Sequence, residues 1–467
     1  MTAITTDLNL ANRSIIIFGM GTTGLSVARF LTSMNIPFAM ADTRKSPENL
    51  SQIKTLYPKI NLFLGPLLEE YFTDTDLVIT SPGISSKDPN LQAFHDRGIQ
   101  IIGDLELFLS STEATVVAIT GSNGKSTVTT LVGEMALASG LKVSFGGNLG
   151  TPMLDLLVKN SEIYVLELSS FQLELISDMR GAIVCLLNVS ADHMDRYNSI
   201  EDYAKAKQNI FLGASKVIVN RQDQLANCSL PAGSILTTFG LDIPNYGDFG
   251  VMKTDDGSKL CCGKNHLIQV SEIAIQGRHN QANALAAMAI GSSVGFDQKA
   301  MISILLSFKG LAHRCEVVTT INGVLYVDDS KGTNVGATVA AIESYGSLLT
   351  RNIVLLAGGQ GKNQDFSDLQ SAVEKFVKYG VVFGENADQI EEALHPVTEV
   401  LRAGSLDNAV KIAKQVAIAG DIVLLSPACS SFDAFSGFEH RGQHFQSAVL
   451  SDRPLLSSKS SERQYAN

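Results

Sequence analysis

The sequence predicts an α/β protein of three domains: an N-terminal Rossmann-like domain, a central P-loop ATPase-type domain on a parallel sheet, and a C-terminal Rossmann-like domain. Three observations predict it. A strand, a glycine-rich turn and a helix follow one another near the N-terminus, and the same order recurs at a phosphate-binding loop near residue 120. Beyond residue 311, three apolar runs each end in a polar turn, two of them with a lysine. Strand-length apolar runs that alternate with helical patterns build parallel sheets. At roughly 150 residues per domain, 467 residues suit about three cores.

The first domain is read as 1–103. A strand over 15–18 runs into Gly19-Met20-Gly21-Thr22-Thr23-Gly24 and a helix through Leu31. A second strand, 38–41, stops at Asp42, close to where a dinucleotide site places its ribose-binding acid. The pattern predicts a diphosphate-bearing nucleotide without saying which, and a tight turn that binds nothing is the plain alternative. Strand 77–80 then runs into Ser81-Pro82-Gly83, at the edge where ligands of doubly wound sheets lie.

The second domain, 104–310, carries Thr120-Gly121-Ser122-Asn123-Gly124-Lys125-Ser126-Thr127 between a strand over 115–119 and a helix over 128–139. A phosphate there meets free N–H groups and the positive end of the helix dipole. Lys125 suits the β- and γ-phosphates, and the Ser126 or Thr127 hydroxyl suits Mg²⁺. Ile119 stands where the full P-loop pattern has glycine, so the motif is a shortened GxxGKST. Strands over 141–145, 163–166 and 182–187 end in Gly146-Gly147-Asn148, in Glu167, and in Asn188 followed by Asp192-His193. Right-handed crossovers bring these ends to the P-loop edge, making Glu167 and His193 candidate Mg²⁺ ligands. Each also has a plain reading, as a solvated or capping carboxylate and as a packed histidine. From 217 to 275 short strands suggest a β-rich insertion or flank. Asn280 and Asn283, before an alanine-rich helix over 284–290, read equally well as caps.

The third domain, 311–452, opens near His313-Arg314. Its strands over 324–327, 353–356 and 422–425 lead into Asp328-Asp329-Ser330-Lys331-Gly332-Thr333, Gly358-Gly359-Gln360-Gly361-Lys362 and Ser426-Pro427-Ala428-Cys429-Ser430-Ser431-Phe432. Lysines and hydroxyls along one crevice suit a small ligand with two carboxylates, a solvated rim being the alternative. Residues 453–467 read as a disordered serine-rich tail.

Composition excludes several classes. Hydrophobic content of 45% with 18% charged residues is globular, and a net charge of -11 argues against a nucleic-acid partner. No run approaches the roughly 18 apolar residues of a membrane span, and MTAITTDLNLANRS lacks the features of a signal peptide. A cytoplasmic protein without membrane insertion is expected. Cys185, Cys228, Cys261, Cys262, Cys315 and Cys429 lack zinc or redox spacing and read as reduced thiols.

Together TGSNGKST, ELSSFQLE from Glu167, ADHMDRY from Ala191, GRHNQANALAA from Gly277, GLAHR from Gly310, DDSKGTN from Asp328, GGQGK from Gly358 and SPACSSFDAFSGFEHRGQHF from Ser426 resemble the Mur ligase superfamily, in order along nearly the whole chain. The resemblance implies ATP-dependent amide ligation through an acyl phosphate in cytoplasmic peptidoglycan precursor synthesis. The branch is the one that adds D-glutamate to UDP-MurNAc-L-Ala, with ATP and Mg²⁺, as a monomer. It implies UDP-substrate contacts at Thr22, Thr23, Asp42, Arg44, Ser81, Gly83 and Asn148. ATP falls to Gly121, Ser122, Asn123, Gly124, Lys125, Ser126 and Thr127 with Asn280, His313, Arg314 and Asp329. Metal falls to Ser126, Glu167, His193 and Lys207, the last matching a lysine that the family carbamylates, although a helical surface lysine is its plain reading. Lys125, His193 and Lys207 are the catalytic set. D-glutamate falls to Lys331, Thr333, Lys362, Ser431, Phe432 and Phe438. One departure is Gly332, where alanine is expected; it should loosen the turn without altering the chemistry. A folylpolyglutamate synthase-like ligase, an NAD-dependent oxidoreductase and a regulatory P-loop NTPase are the alternatives at this point.

Overall fold

Each polar turn singled out from the sequence lies at the carboxyl end of a strand in a parallel sheet. The computed structural model describes residues 8–148, 150–157, 161–226, 233–346 and 350–451. Cys228 and the tail read over 453–467 lie outside them.

The first sheet comprises β1 (Ile15–Phe18), β2 (Ala39–Asp42), β3 (Leu62–Leu64), β4 (Leu77–Thr80) and β5 (Gln100–Gly103), all parallel in the order β3-β2-β1-β4-β5. Every side chain of β1 is buried, as an unbroken apolar run requires when helices cover both faces. Strand order reverses at β1, which opens a crevice at the end of this strand.

The second sheet holds β6 (Thr115–Thr120), β7 (Val143–Gly147), β8 (Ile163–Glu167), β9 (Ile183–Leu186), β10 (Lys216–Asn220), β11 (Ile235–Phe239), β12 (Phe249–Thr254), β13 (Gly257–Cys262) and β14 (Asn265–Gln269). Its order is β14-β13-β12-β11-β10-β9-β6-β8-β7. The P-loop strand β6 therefore lies between β8 and β9, pairing Ile119 with both Glu167 and Cys185. The β-rich stretch is a flank: β10 to β14 extend this same sheet, and only β12–β13 and β13–β14 are antiparallel. Helix Arg278–Val294 buries Ala284 through Ile290 and packs on helix Lys125–Ala138. It starts six residues before the expected 284, with Gly277 at its cap, so Asn280 and Asn283 sit inside its first turns and do not occupy the cap position.

The third sheet is β15 (Glu316–Ile321), β16 (Val324–Asp328), β17 (Ile353–Gly358), β18 (Val377–Phe383), β19 (Glu399–Arg402) and β20 (Ile422–Leu425), ordered β15-β16-β20-β17-β18-β19. Only the edge strand β15 runs antiparallel to its neighbour. The parallel neighbours β16, β20 and β17 bring their three polar ends side by side.

The chain divides into two compact units, Met1–Lys309 with the first two sheets and Gly310–Asn467 with the third. Within the first unit one apolar cluster runs from Leu10 through Phe108 to Val219, joining the cores of both sheets. No helix of the described residues is long and apolar enough to cross a membrane.

Candidate active site

The P-loop is held by its neighbouring strand end. The sequence pattern places its helix at 128–139, yet the helix begins at Lys125, because Gly124 serves as its cap at φ +85°. That left-handed conformation favours glycine. A Cβ on Gly124 would also collide with Asn283 Oδ1, which shows how closely the second helix approaches the loop. Asn188 pairs with Asn123 at two points: Asn123 N donates to Asn188 Oδ1 at 2.9 Å, and Asn188 Nδ2 donates to Asn123 O at 3.0 Å. Ser122 Oγ donates to Ser190 O and accepts from Ser190 N, both at 2.9 Å. Ile119, at the position of the first glycine of the longer motif, lies inside β6 and is fully buried.

Two lysines converge on this loop. Lys125 Nζ donates to Gly121 O at 2.8 Å and to Ser122 O at 3.0 Å, while Lys207 Nζ donates to the same Gly121 carbonyl at 2.9 Å. Lys207 is only 1% exposed, which corrects its plain reading as a surface lysine on a helix. Burial, with the Lys125 charge beside it, holds its ammonium well below the usual lysine range, although Asp192 and Glu167 pull the other way. Glu167 is buried at the end of β8, and its Oε1 accepts from Asn148 Nδ2 at 3.0 Å. Ser126 is buried in the first turn of the helix. His193 stands at φ +58°, half-buried, with its ring edge-on to Phe171 at 4.8 Å between centroids.

A half-buried arginine that the sequence reading did not single out links this site to the first sheet. Arg196 chelates Glu174 at 3.0 and 2.8 Å, lies over the Phe171 ring at 4.0 Å, and donates to the carbonyls of Pro82, Gly83 and Ile84. Burial alone would raise the Glu174 carboxyl; Arg196 and Tyr197 hold it below its ordinary range. The Ser81–Gly83 turn is thereby coupled to the segment that carries His193.

In the first sheet, Asp42 fixes the glycine turn. Its Oδ2 accepts from Met20 N at 2.9 Å, and Arg44 forks onto both carboxylate oxygens at 2.9 and 2.7 Å. Burial pushes this carboxyl up, but the Arg44 and Met20 hydrogen bonds outweigh it and leave it below the usual range. Thr22 is exposed and Thr23 half-buried in the first turn of helix Thr22–Ser33, and Ser81 Oγ donates to Gly19 O at 3.3 Å.

The third sheet gathers Lys331, Thr333, Lys362, Ser431 and Phe432 on its three adjacent strand ends. Gln360 and Ser430 exchange backbone hydrogen bonds at 3.0 and 2.9 Å, and the Gln364 amide donates to the carbonyls of Gly361 and Ala428. Phe438 lies under Lys331 Nζ at 4.0 Å, while Phe432 is 70% exposed. His313 Nδ1 lies 2.6 Å from Asp328 Oδ2, and Gln446 Nε2 donates to Glu316 and Asp328. His313, Glu316 and Asp328 are the one such cluster among the described residues whose ligand atoms all fall within 4.8 Å, and these hydrogen bonds account for its compactness. Asp329 is buried, accepts from Ser426 Oγ at 2.7 Å and Cys315 N at 3.1 Å, and is pushed up by burial to about 7. Gly332 does more than loosen its turn: a Cβ there would stand 2.5 Å from Asp329 Oδ2 and 2.7 Å from Ser426 Oγ. Of the ATP residues inferred from the resemblance, Asn280 belongs to the first unit, where its Nδ2 donates to Gln276 O at 2.9 Å. His313, Arg314 and Asp329 belong to the second unit.

Sequence reasoning missed Asn188 and Ser190 as braces of the P-loop, although both stand just past a strand end. It also missed Gln364 and Arg441, for which no local pattern exists.

Three family models match consecutive parts of the chain: the Mur ligase MurD-like N-terminal domain over residues 13–103, the Mur ligase middle domain over 119–291, and the Mur ligase glutamate ligase domain over 313–429. A UDP-N-acetylmuramoylalanine--D-glutamate ligase of Pseudomonas fluorescens is 46% identical over 430 residues, covering 92% of this chain and 96% of the relative. The enzyme of that name from Legionella pneumophila is 44% identical over 438 residues, covering 93% and 98%. Among solved structures, the UDP-N-acetylmuramate-alanine ligase of Thermotoga maritima superposes with a TM-score of 0.58 at 19% identity, covering 95% of this chain and all of that one. A pseudomurein peptide ligase type C from Methanothermus fervidus gives 0.56 at 18%, covering 89% and 96%.

Proposed function

The chain belongs to the Mur ligase family, and we propose from that premise how its residues divide the work of an ATP-dependent ligase that joins D-glutamate to UDP-N-acetylmuramoyl-L-alanine in peptidoglycan precursor synthesis. The observation that carries the proposal is the pair of lysines, Lys125 and Lys207, on the Gly121 carbonyl of a glycine-capped helix.

A carboxylate does not condense with an amine in neutral water, because hydroxide leaves poorly. The L-alanyl carboxylate oxygen attacks the γ-phosphorus of ATP, the bond to ADP breaks, and an acyl phosphate forms. Lys125 and the N–H groups of the loop hold the phosphates in line and balance the charge spread over the transferred group. The D-glutamate amine then forms its bond to the carbonyl carbon, the tetrahedral intermediate expels phosphate, and the amine proton passes to solvent. Holding amine and acyl group in line supplies much of the rate.

Glu167 and Ser126 fit a magnesium ion in kind: a buried carboxylate and a hydroxyl in the helix's first turn are the hard oxygen donors such an ion takes beside phosphate, and His193 is assigned a place next to it, where an imidazole is a poorer match. Bound there, the ion would neutralise phosphate charge. Burial lowers the Lys207 pKa and so favours its neutral, nucleophilic amine. Its addition to CO₂, with loss of one proton, gives the carbamate and a further anionic ligand.

The UDP moiety is assigned to the first sheet, at Thr22, Thr23, Asp42, Arg44, Ser81 and Gly83, with Asn148 facing the substrate. D-glutamate is assigned to Lys331, Thr333, Lys362, Ser431, Phe432 and Phe438, and the ATP base and ribose side to Asn280, His313, Arg314 and Asp329. The three matched spans support domains at 1–103, 104–310 and 311–452, and a cytoplasmic monomer working on small molecules completes the reading.

Phosphate release from ATP with UDP-MurNAc-L-Ala, compared with D-glutamate, L-glutamate and no amino acid, is the test. Release that depends on D-glutamate, with a product heavier by one glutamyl residue, is the expected result. Release indifferent to the amino acid overturns the assignment.

A further inference from the structure

Arg441, on helix Phe438–Leu450, is the largest fully buried side chain of the described residues, with 0% exposure. Its guanidinium donates Nε to Ser330 Oγ at 3.0 Å, Nη2 to Ser330 O at 2.8 Å and to Cys429 O at 3.0 Å, and Nη1 to Ser430 O at 3.2 Å and Gly358 O at 3.4 Å. Five donors thus meet five oxygens, all of them neutral. Those oxygens lie on the ends of β16, β20 and β17. Burying a cation without a carboxylate partner is unfavourable, and burial pushes this guanidinium down to about 10. The five oxygens that accept from it would be left without donors by an apolar side chain, so the side chain at this place is fixed by the strand ends it joins.

We infer that Arg441 is a positioning residue for the amino-acid pocket, holding the ends of β16, β17 and β20 in one arrangement so that Lys331, Lys362 and Ser431 keep fixed separations. Each of those residues stands one to four positions from an oxygen that Arg441 grips. The same helix sets the remaining wall: Ser330 Oγ donates to Phe438 O at 2.9 Å, and the Phe438 ring lies against Lys331 Nζ. Gly442, the next residue, lets the helix come down on His313, since a Cβ there would collide with the imidazole Nδ1. Gln364 braces the same region from inside the β17 turn: its Nε2 donates to the carbonyls of Gly361 and Ala428, and its Oε1 accepts from Val335 N in the helix that follows the β16 turn. The guanidinium also leaves a positive charge under a site meant for a dicarboxylate.

The inference rests on the D-glutamate assignment made above, and the experiment separates the two. Steady-state kinetics of phosphate release are measured for the wild type, Arg441→Lys and Ser330→Ala, varying ATP, UDP-MurNAc-L-Ala and D-glutamate in turn. Arg441→Lys keeps the charge but offers three donors in place of the planar five. Its KM for D-glutamate should rise roughly 10- to 100-fold, with the KM values for ATP and the UDP-substrate within about twofold. Ser330→Ala removes one of the five acceptors and should raise the same KM by roughly 3- to 10-fold, so the inference stays testable if Arg441→Lys does not fold. A wild type that does not depend on D-glutamate overturns the assignment. A D-glutamate-dependent wild type whose folded variants keep the wild-type D-glutamate KM, or lose all three substrates equally, overturns the role of Arg441.

Discussion

The P-loop and the third-sheet pocket are both built to hold anions at strand ends, but their cations are held in different ways. At the P-loop, Lys125 reaches carbonyls only three and four residues behind it, and helix, glycine cap and lysine form one contiguous stretch. In the third sheet, Lys331 and Lys362 stand on separate strand ends, and the groups that join those ends are Gln364, two residues past Lys362, and Arg441, which comes from helix Phe438–Leu450. The first site is a property of a local segment braced by its neighbour. The second exists only while three strand ends stay together, so it is more sensitive to changes that touch no ligand.

The largest expected effect tests the local side of this contrast. Lys125→Ala should lower the rate of acyl-phosphate formation by roughly 10²- to 10³-fold, read as single-turnover phosphate release, with urea stability little changed. A variant of near-normal rate would mean that the cation acting on the phosphate is not this one.

Next comes Gly332→Ala, which sharpens the non-local side. Its Cβ must displace the Asp329 carboxylate from Ser426, at a cost of about 1–3 kcal/mol in urea unfolding, together with a higher KM for ATP. An alanine accommodated without any shift in midpoint or KM would return Gly332 to the role of a loose turn.

A smaller effect is expected for Asn188→Ala. Removing the two-point brace on Asn123 should weaken ATP binding by about 1–2 kcal/mol, measured by calorimetry. Unchanged affinity would show that the loop keeps its shape without its neighbour, and the contrast between the regions would widen.

The last expected effect is a pH slope. The folded-state pKa of Asp329, about 7, lies above its unfolded value near 3.8, so the folded state binds the extra proton between those limits. Stability from this group is present at low pH and falls as pH rises from about 4 to 7. Asp329→Asn should flatten that fall in urea midpoints. Asp104, pushed up by burial to about 6, contributes a slope of the same sign and leaves a remainder. An identical slope in the variant would place the proton elsewhere.

What was legible in the sequence follows the same division. The turns at Gly19–Gly24 and Gly121–Lys125 were readable because strand, glycines and helix are consecutive, and β20 was placed at 422–425 residue for residue because an isolated apolar run between polar turns has few ways to pair. Boundaries slipped where a loop residue joined a helix: Lys125 to Thr127 were read as loop and lie in the first turn, since Gly124 caps earlier than the apolar pattern begins. Lys207 was named from its resemblance alone. Its burial was invisible, because whether a lysine on a short amphipathic helix faces water depends on what the helix packs against.

The sequence by itself determined the strand–turn–helix order around the glycine turns, the phosphate loop and the polar strand ends, because each depends on residues close together in the chain, while β3, β5, β15, β18 and β19 were not read from it. Tertiary structure alone decided that Asn188 braces Asn123, that Lys207 shares the Gly121 carbonyl with Lys125, and that Arg441 grips three strand ends. Those contacts span from 65 to 111 residues of sequence, apart from the short reach of Arg441 to Cys429 and Ser430. Hydrogen bonds of that range form only once the crossover helices have stacked the strands in register, and no local pattern records the register.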